Sequence, residues 1–232
     1  MTDIASLCKT VSELRDITFV IPDYQRGYRW TSQEVNDLLN DISGFDLGSQ
    51  REPLFYYLQP LVVKKIDDNK YEVVDGQQRL TTIFIIIKFA ADEMKSAKCP
   101  YSLEYITRKG SKDYLDSLEI SSVIERQNID YFHITTARKT IGDWLDKQLD
   151  KAEAISDIYK RLMSSTRFIW YEIPDSVDPK VEFHKLNVGK IRLTNAELIK
   201  ALLLSKDNFQ NEPHVMLINK RQNLNERITN HK

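Results

Sequence analysis

From residue 17 the chain switches between short β-branched runs and longer stretches in which apolar residues recur three and four apart. Ile17 to Ile21 is branched and aromatic and stops at Pro22, which predicts a short strand entering a turn. After a loop from Asp23 to Arg29, Trp30-Thr31-Ser32-Gln33-Glu34 predicts a helix start. Thr31 is its N-cap, Glu34 closes a capping box, and Trp30 staples onto Val35. Val35, Leu38, Leu39 and Ile42 share one face, and Gly44 ends the helix. Phe55 to Ile66, the turn residues Asp67-Asp68-Asn69, and Tyr71 to Val74 predict a β-hairpin whose second strand runs into Asp75-Gly76. Leu80 to Met94 changes to helical spacing and is apolar at nearly every position up to Ala91, so this helix is expected at the centre of the fold.

Past Pro100 the pattern gives a strand-like stretch, Tyr101 to Thr107, a basic turn Arg108-Lys109-Gly110, and helical patterns through Ser165. Among these, Ile134, Ala137, Ile141, Trp144, Leu145 and Leu149 keep helical spacing. Arg167 to Ile173 alternates as a strand closed by Pro174 and is expected to rejoin the first sheet. Thr194-Asn195-Ala196-Glu197 reads as a second capping box, opening a helix to about Leu204. Beyond Lys206 the chain turns polar without a closing element, which reads as a cut end or a lead into a further domain. These elements predict an α+β protein: a small mixed sheet with helices over residues 1–97, then a mainly helical lobe over 98–232.

Composition narrows the function classes. The chain has 232 residues, of which 41% are apolar and 29% charged, so extended disorder and fibrous repeats are excluded. Lys and Arg number 33 against 34 Asp and Glu, and any contact with a polyanion must use a local patch. Cys8 and Cys99 make neither a CxxC pair nor a disulfide framework, which suits a cytoplasmic protein. The N-terminus lacks a secretory pattern. The strongest apolar run, Ile83 to Ile87, is stopped by Lys88, far short of the roughly 20 residues a bilayer demands, so no membrane partner is expected. His133, His184, His214 and His231 are scattered without metal-ligand spacing, which argues against zinc. A GxxxxGK[ST] phosphate loop is absent, and no isolated carboxylate pair suggests a glycosidase.

Two segments carry chemistry. In Asp75-Gly76-Gln77-Gln78-Arg79 a strand end meets a helix start, where unpaired N–H groups and the helix dipole favour an anion such as phosphate. Gly76 admits close approach, Arg79 offers a forked cation, and the glutamine amides can bind a phosphate or a water. Asp75 would repel a bare phosphate unless it caps the helix or holds Mg2+. The same residues also fit a plain capping box of Asp75 and Gln78 with Arg79 in solvent. The second segment, Ile21-Pro22-Asp23-Tyr24-Gln25-Arg26-Gly27-Tyr28-Arg29-Trp30, gathers arginines, rings and an amide that can clamp phosphate and stack on a base. Tyr24, Gln25 and Arg26 are its binding candidates; Tyr28 and Trp30 equally fit a core-capping turn. Arg108, Lys109 and Lys112, together with Arg29 of this loop, form a candidate DNA patch, which predicts affinity that falls steeply with salt.

These segments, with Leu80-Thr81-Thr82 after the pentapeptide and the later Phe183-His184-Lys185-Leu186-Asn187-Val188-Gly189-Lys190-Ile191-Arg192-Leu193-Thr194, resemble the N-terminal DGQQR domain of GmrSD-type modification-dependent restriction systems. SspE-like and BrxU-like phage-defence proteins are relatives of that family. The resemblance spans about residues 10 to 205, strongest in the three motifs and weak through the helical middle. It implies a ParB/sulfiredoxin-like core that binds and hydrolyses a nucleoside triphosphate, ATP, GTP, CTP or UTP, with Mg2+. It also implies a catalytic centre of Asp75, Gln77, Gln78 and Arg79. Tyr24, Gln25, Arg26, Gly76, Thr81, Lys185 and Asn187 would line the nucleotide pocket, with Lys190 a further phosphate candidate. The Asn187 and Gly189 segment is expected as a loop folding back towards the pocket. The expected partners are the nucleotide, modified DNA, and a nuclease domain or subunit whose His- and Asn-containing pattern these residues lack. A homodimer stays open, as does the rival reading of a non-catalytic ParB-like sensor of nucleotide or modified DNA.

Overall fold

The computed structural model describes residues 7–49, 53–95, 99–118 and 128–188. By its internal contacts the chain divides into a unit of residues 2–186 and a second unit that takes in 187–232, of which only Asn187 and Val188 are described. The capped helix expected from Thr194 lies outside the described residues.

The fold is α+β. Six strands form one mixed sheet: β1 (Cys8–Thr10), β2 (Thr18–Ile21), β3 (Tyr56–Asp67), β4 (Lys70–Asp75), β5 (Ser102–Tyr105) and β6 (Thr166–Glu172). Their order across the sheet is β1-β6-β3-β4-β2-β5. β3 and β4 are the expected hairpin, antiparallel, with Asn69 in the left-handed region at φ 57° in its turn. β2 lies parallel to both β4 and β5, and β6 runs parallel to β3 and antiparallel to β1. The strand predicted after residue 165 thus rejoins the sheet. Strands from both sides of residue 98 share it.

Six helices accompany the sheet among the described residues: α1 (Ser32–Gly44), α2 (Gln77–Met94), α3 (Lys109–Asp116), α4 (Ile129–Leu145), α5 (Lys151–Lys160) and α6 (Pro179–Val188). The capping box at α1 forms as the sequence predicts, with the Glu34 carboxylate accepting from the Thr31 N–H at 2.8 Å. α2 is central, with Ile83, Ile85 and Ile87 fully enclosed.

Strand alternation divides the core. Leu61 and Val63 of β3 and Val73 of β4 face a large cluster with α1, α2, α4 and α5. Their neighbours Val62 and Val74 point the other way and, with Ile173, meet Phe183 and Leu186 of α6. Both faces of the central strands are therefore covered.

Three expectations are corrected, while the helical run to Ser165 is met where it is described. Arg108-Lys109-Gly110 is the start of α3 rather than a turn, because Arg108 occupies its N-cap position. Leu149 lies beyond the end of α4 and is exposed, so its spacing match is coincidental. The helical pattern to Ser165 ends in a π-helical turn, Arg161–Ser165, which leads directly into β6. Asn187, expected in a loop with Gly189, is instead in the last turn of α6; Gly189 and Lys190 lie outside the described residues.

Candidate functional site

The three parallel strands β2, β4 and β5 end at Ile21, Asp75 and Tyr105, side by side on one edge of the sheet. Carboxyl ends of parallel strands are where open α/β sheets place ligands, since helix N-termini and loops converge there. From this edge leave the loop of residues 22–31, the step from Asp75 into α2, and the link to α3.

Directly after β4 on this edge, Gly76 is the N-cap of α2, with φ 103° and ψ 1°, a region L side chains rarely adopt. A Cβ there would meet Leu61 Cδ1 at 2.8 Å and Arg79 Nη2 at 3.3 Å. Among the described residues no side chain caps α2, so the capping box that Asp75 and Gln78 could have formed is not made. Gln78 instead reaches across to the loop. Its Oε1 accepts from the Arg29 N–H at 2.8 Å, and its Nε2 donates to the Gly27 carbonyl at 3.0 Å. Arg79 does not point to solvent either. Nη1 donates to Gln59 Oε1 at 2.6 Å and Nη2 to the Pro60 carbonyl at 2.6 Å, both on β3. Burial weakens the protonation of its guanidinium, and the nearby Asp75 carboxylate restores part of it. Gln77 is buried, and its side chain lies beside the Tyr105 hydroxyl, whose ionisation it eases. Asp75 is half-buried at the end of β4, and its carboxylate makes no hydrogen bond among the described residues.

The loop is built inward. Gln25 is buried, and its Nε2 donates to the Val73 and Val74 carbonyls of β4 at 2.5 and 3.0 Å. Tyr24 donates to Glu72 Oε1 at 2.5 Å and packs on Phe183 of α6 with ring centres 5.1 Å apart. Burial first, then the bond and charge of Glu72, drive the Tyr24 phenol far above its ordinary range, so it stays neutral. Arg26 is exposed on the loop, near enough to Glu34 to favour that carboxylate's charge. Arg29 is half-buried and pairs with Asp130 of α4.

The remaining candidates are dispersed. The Thr81 hydroxyl is enclosed in the core, donating to the Gln77 carbonyl at 2.9 Å and lying 2.8 Å from the Tyr105 hydroxyl. Lys185 is exposed on α6, 3.4 Å from Glu182. Asn187 belongs to the second unit. Of the DNA candidates, Arg108 Nε binds Asp130 at 2.7 Å, Lys112 lies 3.8 Å from Glu104, and Lys109 opens α3.

The family model described as "GmrSD restriction endonuclease, N-terminal domain" matches residues 7–204. The chain belongs to that family. No curated protein matches it.

Within this GmrSD N-terminal domain, sequence reasoning missed one side chain of the site. Asp130 is buried in the first turn of α4, bridging Arg29 and Arg108. A Cβ on Gly27 would stand 2.1 Å from Asp130 Oδ1, so the glycine of the loop exists to admit that carboxylate. The readable signal was weak: Asn128, the N-cap of α4, marks a helix start, and Asp130 is an ordinary first-turn acid.

Proposed function

We propose that this restriction-family domain binds a nucleoside triphosphate with Mg2+ at the β2, β4 and β5 edge and hydrolyses it. The observation that carries this reading is the Gln78 side chain, whose carboxamide joins the DGQQR segment to the loop through Gly27 and Arg29. Two motifs far apart in sequence thereby become one pocket wall. Beside it are the α2 N-terminus, which no side chain caps among the described residues, and a backbone at Gly76 with no side chain to block approach.

The residues take distinct tasks. Gln25 and Gln78 hold the loop's shape. Arg79, pinned on Gln59 and Pro60, is a fixed positive charge beside Gly76 rather than a mobile arm. Exposed Arg26 is the flexible cation for the outer phosphates. Asp75 is a carboxylate without a competing hydrogen bond, which suits Mg2+, an ion that takes one or two carboxylates and completes its shell with phosphates and water. Bound there, Mg2+ would neutralise charge on the transferring phosphoryl group. Asp75 and Gln77 would orient the attacking water, whose oxygen bonds to the γ-phosphorus as the anhydride oxygen departs with the diphosphate and the water's proton passes to a phosphate oxygen. Turnover is read as the gate of a nuclease that acts on modified DNA.

A second reading has its own support: Gln78 and Arg79 are both occupied by intramolecular bonds, as expected of a nucleotide sensor that switches without turnover. Phosphate release by the purified chain separates the two, with ATP, GTP, CTP and UTP, with Mg2+, and with or without DNA carrying modified bases. Asp75→Asn should lower release on the order of a hundredfold or more while the protein still melts cooperatively. Binding without release by the unaltered chain favours the sensor. Release undiminished by Asp75→Asn would overturn the assignment.

A further inference from the structure

α4 is fastened along the segment that runs from the binding loop into α1. Asp130 pairs with Arg29, His133 Nδ1 lies 3.3 Å from the Trp30 carbonyl, and Thr140 Oγ1 donates to Ser32 Oγ at 2.8 Å. Further along, Trp144 Nε1 donates to Asn40 Oδ1 at 2.8 Å. The contacts advance in step on both sides, so α4 is a splint for the loop and the helix that follows it. Only the Asp130 contact is ionic, and it is the one nearest the pocket.

Asp130 closes a chain of bonds between the loop, α3 and the start of α2. One oxygen takes Arg29, whose backbone N–H binds Gln78; the other takes Arg108, whose Nη1 donates to the Gln25 carbonyl at 3.3 Å. Gln25 in turn is anchored on β4, from which Gln78 is three residues away. Two half-buried arginines against one buried carboxylate leave the cluster a net positive charge at the rim of the pocket. A phosphate entering there competes with the Asp130 carboxylate for the same guanidinium forks.

We infer that Asp130 is a positioning residue that holds Arg29, Arg108 and the Gly27 backbone in place, and so couples occupancy of the nucleotide site to the first turn of α4. This rests on the nucleotide reading above. Asp130 touches no reacting atom. It sets how the loop stands over the α2 N-terminus, and loading of the site shifts the balance of its two ion pairs.

Amide hydrogen exchange of the whole chain, with and without each of the four triphosphates and Mg2+, tests the inference. In the unaltered protein nucleotide should change exchange both in the loop at 24–30 and in α4 at 130–135. In Asp130→Asn the loop should still respond while the α4 response disappears, and nucleotide affinity should fall on the order of tenfold, within the usual range of coupling between sites. If no triphosphate alters exchange anywhere in the unaltered chain, the nucleotide reading itself falls. A loop response in the unaltered chain with no α4 response, or an α4 response that persists in Asp130→Asn, overturns the coupling alone. The first of these arms needs no variant, so the inference stays falsifiable even if Asp130→Asn fails to fold.

Discussion

Gly76 holds two demands at one position: a left-handed backbone and closeness to Leu61 and Arg79. Gly76→Ala adds a strained φ, worth about 1 to 3 kcal/mol, and pushes a methyl onto Leu61 Cδ1. Thermal unfolding should drop by about 5 °C, at roughly 2 to 4 °C per kcal/mol for a chain of this size. Gly44 is the control. It ends α1 with nothing within 4 Å of an added Cβ, so Gly44→Ala should leave the melting point unchanged or raise it. Equal losses from both would refute the geometric account. At this scale the sequence marks which residues matter better than what each one does. Gln25, Gln77 and Gln78 are all amides able to bind a ligand. Only the carbonyls of Val73 and Gly27, about 50 positions away, assign two of them to holding the loop. Asp130 escaped notice because its meaning lies in a distant glycine.

Three tyrosines, Tyr28 of the loop, Tyr101 just before β5 and Tyr105 at its end, fasten α2 into the core. Tyr28 meets Thr82 Oγ1 at 2.8 Å, Tyr105 meets Thr81 Oγ1 at 2.8 Å, and Tyr101 donates to the Leu80 carbonyl at 2.7 Å. Thr81 and Thr82 are thus docking points as well as helix positions. Because the Thr82 hydroxyl also donates to the Gln78 carbonyl, Tyr28→Phe strands no buried donor and should cost about 1 kcal/mol, seen as a small fall in the denaturant midpoint at unchanged m-value. A loss several times larger would mean that the Tyr28 hydroxyl does more than this bond. Elements with a strong period were legible: β2, α1, the β3–β4 hairpin, α2, β5 and β6. β1 was not, since three residues of middling burial at a sheet edge carry no alternation to detect. Nor was α6, whose Phe183 and Leu186 pack on the small cluster behind the sheet while Val181 is exposed, so it lacks a wide hydrophobic stripe.

For the molecule as a whole, the same buried phenols set a limit at alkaline pH. Burial, the leading cause in each case, raises the ionisation of Tyr28, Tyr101 and Tyr105 above the ordinary 10.0. The native state therefore keeps protons that the unfolded chain releases. Stability from these groups is complete below pH 10 and declines above it, because the unfolded tyrosines ionise while the native ones resist. Each phenol's slope is about half of 1.4 kcal/mol per pH unit at pH 10 and approaches about 1.4 only roughly a unit higher, where the unfolded phenol is ionised and the native one still protonated. Denaturant titrations from about pH 8 to about pH 11 should show a plateau followed by that fall. Tyr28→Phe supplies the internal check: starting slightly less stable at neutral pH, it should lose stability less steeply, by one tyrosine's share. A parallel slope in the variant would remove Tyr28 from the account and point to phenols that reach solvent before the fold opens.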